Sequence, residues 1–133
     1  MVFSWEANLT REPLDPSRAG FRRDEGAVVD FYGVVRETEG NRLITGIEYE
    51  AFEAMAERLL AEIAQKAGDQ HQVSQVVLHH RIGFVPAGEP SLFLWVCSER
   101  RAAAFRASAD IVEKLKALVP IWKHPVYAAA RVT

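Results

Sequence analysis

Apolar and polar positions alternate over residues 26–36 (GAVVDFYGVVR), placing Ala27, Val29, Phe31 and Val35 on one face of a strand and Arg36 on the other. Residues 43–52 alternate again, Ile47, Tyr49 and Ala51 opposing Glu48 and Glu50. With a polar connection at 37–42 that contains Gly40, this second strand is expected to be the hairpin partner of the first. The period changes over 53–68, where Met55, Leu59, Leu60 and Ile63 recur at helical spacing and Gly68 offers a stop. Residues 73–85 read as extended chain, 86–90 (PAGEP) as a turn, and 91–97 as a buried strand. A second helix is expected over about 98–119, with Phe105, Ser108, Val112, Leu115 and Val119 in one stripe and Pro120 preventing continuation.

The flanks carry less pattern. Residues 1–25 are polar and interrupted by Pro13 and Pro16, which suits an arm or short edge strand, and the last thirteen residues are extended or irregular. Strands interspersed with two helices predict an α+β fold, a single domain with a mostly antiparallel sheet: an arm at 1–25 and the domain proper at 26–133. Repeats and low-complexity tracts are absent.

Composition narrows the function classes. A chain of 133 residues with 49% hydrophobic content can bury one core. Sixteen basic against eighteen acidic residues give a net charge of -2, which supplies no field for a nucleic-acid backbone, so no nucleic-acid partner is expected. The apolar runs are too short for a membrane span and the N-terminus lacks a signal-peptide pattern, so a cytoplasmic protein without a membrane partner is expected. The single Cys97 cannot form an internal disulfide and agrees with a reducing compartment.

Several positions invite chemistry. On the second helix Lys116 projects about 20° from Phe105, inside the expected apolar stripe, and Arg101 projects about 40° to the other side. Both then point toward protein, and each is expected either to snorkel past the core edge or to line a cavity that needs positive charge. The plain alternatives are a helix-end cation for Lys116, a carboxylate-paired first-turn residue for Arg101, and a surface lysine for Lys123. His79 and His80, adjacent in a strand, point to opposite faces and cannot chelate one metal, which leaves one core-facing and one solvated ring. Glu48 and Glu50 suit the wet side of a sheet. Cys97, in LFLWVC, reads as a small buried hydrophobe, and Trp95 and Trp122 as packing residues, with bordering a bound ring as the alternative for Trp122.

The run LKALVPIWK at 115–123 resembles the signature of the large, catalytic subunit of molybdopterin synthases, a helical lysine followed seven residues later by a second lysine after proline, an aromatic residue and tryptophan. Three further segments agree in the same order: GAVVDFYGVVR, IEYEAFEAMA at 47–56 and HRIGFVPAGEP at 80–90. The resemblance implies an α/β-hammerhead-like fold and a sulfurtransferase that converts cyclic pyranopterin monophosphate to molybdopterin. The implied sulfur donor is a small ubiquitin-like subunit with a C-terminal Gly-Gly thiocarboxylate. Lys116 and Lys123 are implied as catalytic residues, and Arg36, Arg100 and Arg101 as substrate-binding residues, with no metal and no cofactor. The chemistry suits these types: guanidinium forks hold phosphate, and a desolvated lysine can exchange protons near neutral pH.

Arg101 and Lys116 are fifteen positions apart, hence ~22 Å along a helix axis, too far to grip one small substrate from one chain. A homodimer with shared sites is therefore expected, and the resemblance implies a heterotetramer with a small subunit at each end. The chain departs from the family at Arg100, where histidine is usual, in the shortened stretch 16–23, and after Lys123, where it reads His124 and Pro125. These departures leave a second expectation open, a catalytically impaired relative that binds a ubiquitin-like partner or pterin without turnover.

Overall fold

The computed structural model describes residues 2–15 and 21–129. Most of the shortened stretch 16–23 thus lies outside the described residues. Eight strands and two helices follow in the order β1 (Ser4–Thr10), β2 (Ala27–Val34), β3 (Thr38–Glu39), β4 (Arg42–Ala51), α1 (Glu53–His71), β5 (Gln75–Arg81), β6 (Gly83–Pro86), β7 (Pro90–Ser98), α2 (Arg101–Leu118) and β8 (Ile121–Tyr127). They form two sheets, the first in the order β1-β5-β7-β2, where only the β1–β5 pair is parallel. In the second, β4 pairs with β3, β6 and β8, all antiparallel. This is the expected α+β class, dominated by antiparallel pairing.

Strand alternation sorts the first sheet into two faces. Val76 and Leu78 of β5 and Leu92, Leu94 and Val96 of β7 face the helices and are at most 5% exposed. Both helices meet them largely through small residues: Ala56, Ala64 and Ala67 of α1, and Ala103, Ala104 and Ala107 of α2. Small side chains let the helix backbones approach the sheet closely, and the fully buried Leu60, Leu78 and Leu94 each contribute about 1.5–3 kcal/mol of apolar burial. A second core of Val35, Ile44, Ile47, Tyr49, Ile82 and Val85 lies in the smaller sheet.

Three expectations are corrected. The strand at 43–52 is not the hairpin partner of the first: β2 pairs with β7, and β4 with β3, β6 and β8. A register shift between Gly33 and Val34 turns the chain out of the first sheet, and Val35 enters the second core beside the turn at Gly88, whose N–H donates to the Val35 carbonyl at 2.7 Å.

Gly68 does not end α1, which continues to His71 and is closed by Gln72 in the left-handed conformation (φ 55°). A Cβ at position 68 would stand 2.7 Å from the Phe3 ring, so this glycine serves close packing. On α2 the buried arc runs through Ala104, Ala107, Ser108, Ile111 and Leu115, while Phe105 is 61% exposed. Phe105 projects about 100° from Ala104, and Lys116 lies near it, so both stand on the flank of the buried arc. Alanines, weak in an apolar pattern, set the packed face instead of the bulky phenylalanine.

Candidate functional site

The site forms where the helix layer stops. Pro120 lacks an N–H and ends α2; Val119 becomes extended, its N–H donating to the Leu115 carbonyl at 3.0 Å, and the chain enters β8. Phe52 N–H donates to the Pro120 carbonyl at 3.1 Å, tying this corner to the start of α1. The sheet extends past the end of α2, leaving a cavity of about 550 Å³. Its walls come from Phe31 and Gly33 of β2, Leu92 of β7, Leu115 and Val119 at the end of α2, and Ile121 of β8.

Three cations line this cavity. Lys116 comes from the last turn of α2, where exposed carbonyls and the helix dipole favour an ammonium. Lys123 comes from β8, seven residues on, and Arg36 follows directly after β2. Among the described residues no carboxylate lines it. All three cations are exposed rather than buried, and Lys116, expected to snorkel past the core edge or to line a cavity, stands on the rim of this one.

The arginines at the other end of α2 are not brought to the cavity. Arg100 is the N-cap and Arg101 the first helical residue, both exposed and absent from the lining. A helix is a rigid rod, so its two ends stay ~22 Å apart in any one chain.

Sequence reasoning expected one of the two adjacent histidines to face the core but assigned neither to the site. His80 ends the helix-facing row of β5 after Val76 and Leu78, and it is 5% exposed. Its Nδ1 lies 2.8 Å from the Arg81 carbonyl, which can only accept, so Nδ1 carries the hydrogen. Burial pushes its pKa down to about 4; the Arg81 bond opposes this and the Lys123 charge adds to it. The imidazole is therefore neutral near pH 7. Tyr49 packs edge-on against it, ring centres 5.4 Å apart, and donates to Ser91 Oγ at 3.1 Å. Burial raises the Tyr49 pKa, the Ser91 bond lowers it and the charge of Glu39 raises it, so the phenol stays protonated. The available signal for His80 was its phase in the apolar alternation of β5.

The remaining candidates lie elsewhere. His79, on the opposite face, is hydrogen-bonded to Glu6, and His124 to Glu50 at 2.9 Å. Cys97 is buried, its thiol pushed up by burial, and accepts from Trp95 Nε1 at 3.0 Å.

A cavity lined by three cations, with no lining carboxylate among the described residues, has the electrostatics of an anion site. The sequence pattern of the MoaE protein family matches residues 9–118, and the chain belongs to that family. A molybdopterin synthase catalytic subunit of Oryza sativa subsp. indica is 40% identical over 102 residues, 77% of this chain; the chain spans about half that relative, 53% of its length. The X-ray crystal structure of molybdopterin synthase from Staphylococcus aureus superposes with a TM-score of 0.83 at 30% identity, over 92% of this chain and 91% of that one. A complex of subunits 1 and 2 of the molybdopterin-converting factor from Helicobacter pylori contains a chain with a TM-score of 0.65 at 28% identity, over 82% of this chain and 75% of that one.

Proposed function

We propose that this chain is the catalytic subunit of a molybdopterin synthase, a sulfurtransferase that converts cyclic pyranopterin monophosphate to molybdopterin in the cytoplasm. The observation that carries the reading is the convergence of Arg36, Lys116 and Lys123 on one cavity with no lining carboxylate among the described residues. Guanidinium and ammonium groups there suit a phosphate and a thiocarboxylate, and the apolar wall beside them suits a flat heterocycle.

In this reading Arg36 holds the phosphate. Lys116 meets the thiocarboxylate terminus of a small ubiquitin-like subunit and assists its attack on the pterin side chain, and Lys123 handles the proton of the departing oxygen. The Helicobacter pylori complex supports a two-subunit assembly. Exposed Leu118 at the end of α2, 58% accessible, suits its docking. A homodimer supplies what one chain cannot: Arg101 and Arg100 of a second copy complete the anion site, with exposed Phe105 on the same flank as Lys116.

A second reading, a relative that binds these partners without turnover, is favoured by His124 and Pro125 after Lys123, since His124 is engaged by Glu50. Incubating the purified chain with a thiocarboxylated small subunit and the cyclic pterin separates the two. Molybdopterin formation is expected; binding of both partners with no product would establish the second reading instead.

A further inference from the structure

The cavity contains one side chain that can only accept a hydrogen bond on its open side. With Nδ1 committed to the Arg81 carbonyl, His80 Nε2 carries a lone pair and meets no hydrogen-bond donor among the described residues. It keeps access to the cavity that the ring lines. The neighbouring hydroxyls are already engaged: Tyr49 donates to Ser91 Oγ, and Ser91 donates to the Gly33 carbonyl at 3.4 Å.

The other charged groups on this wall are Lys123 from β8, Lys116 from α2 and Arg36 after β2, all donors without an acidic partner in the lining. Arg81, next on the same strand, is taken by Glu89 at 2.8 Å. Among the three cations Lys123 is the one bound to His80 by geometry. Lys123 pairs directly with Tyr49 across the β4–β8 ladder, so the two side chains share a face with Cβ atoms about 5 Å apart. The Tyr49 ring in turn packs on His80. In the free chain Lys123 and His80 are neighbours without a direct hydrogen bond, and the four-carbon stem of an exposed lysine can close the distance.

We propose that His80 is the positioning residue for Lys123: its unprotonated Nε2 accepts from the Lys123 ammonium when that group turns into the cavity, fixing the direction from which it meets substrate. In a cavity otherwise lined by donors, a neutral acceptor orients one cation without cancelling the positive field that an anion needs. A carboxylate at this place would do both. The inference rests on the reading that Lys123 acts in this cavity.

Two substitutions and one resonance test it. In His80→Phe, which keeps the ring shape and removes the acceptor, kcat for molybdopterin formation should fall about 10-fold while KM for the cyclic pterin stays within about 2-fold. His80→Gln, whose amide oxygen reaches toward the Nε2 position, should restore most of the loss. Independently of turnover, the 15N resonance of His80 Nε2 in the chain saturated with the cyclic pterin, with no small subunit present, should move when Lys123 is replaced in Lys123→Met, and His80 should then titrate at higher pH. That resonance decides the matter if His80→Phe does not fold, and it separates this inference from the functional reading, which fails only if the wild-type chain makes no product. Full kcat in His80→Phe, a loss that Gln does not repair, or an unmoved Nε2 resonance would each overturn the proposal.

Discussion

The helix-facing side of the first sheet has two ends that meet different fates. At one end Leu78, Leu94 and Val96 lie under the alanine-rich faces of both helices and are fully covered. At the other, two residues further along the same strands, His80 and Leu92 face a cavity with Gly33 of neighbouring β2, because Pro120 has stopped α2. The strands are continuous through both ends, so the sheet does not make the site. The length of one helix does, and the residues that follow its stop supply the charge. Side chains at the covered end therefore hold the fold, and cations at the open end are free of that duty, which leaves them available for the proposed chemistry.

The sharpest way to break this contrast is at the lysines. Lys123→Ala should lower molybdopterin formation about 10²–10⁴-fold, with a melting temperature close to wild type because the side chain is exposed. A large loss of stability would mean that the open end is structural after all. Arg36→Ala should raise KM for the phosphorylated pterin about 10- to 100-fold, with a smaller change in kcat, as steady-state kinetics would show.

Acid sharpens the contrast from the stability side. His80 has a folded pKa lowered to about 4, whereas the unfolded ring titrates near 6.5, so the unfolded chain binds more protons between those values. The stability that His80 contributes while neutral is present above about pH 6.5 and is lost as pH falls toward 4, by up to ~3 kcal/mol. Denaturant titrations of wild type and His80→Gln across that window should converge at its acid end. At the covered end Gly68→Ala should destabilise by about 1–3 kcal/mol, since the added Cβ meets the Phe3 ring. A glycine inside the helix but outside a packed contact would give the opposite sign, because alanine favours a helix interior by about 1 kcal/mol.

Much of this was legible in the chain. The β-branched alternations, the helical spacing before Gly68 and the proline at 120 mark the principal elements, and the family signature picks out Lys116, Lys123 and Arg36, which the fold does gather. What was not legible has physical reasons. Partner choice among strands is a long-range matter, so β4 following β2 in sequence gave no warning that a bulge sends the chain into a second sheet. A hydrophobic projection weighs Phe105 above Ala104 and Ala107, although close helix packing needs the small residues. Adjacent histidines fix only that the rings diverge; that one of them ends a covered row just where the cover stops depends on where α2 terminates in space. Arg100 and Arg101 lie outside the cavity because one chain cannot bend its helix to deliver them.

That last point carries the account's central claim, a reaction site at the open end completed by a second copy. The direct measurement is to mix Arg101→Ala and Lys116→Ala proteins, each expected to be nearly inactive alone, under conditions that exchange subunits, and to assay molybdopterin formation. Each hybrid dimer would then hold one site with both side chains intact, so activity should return. A mixture as inactive as its components despite verified exchange, or an Arg101→Ala protein with full activity by itself, would contradict the claim.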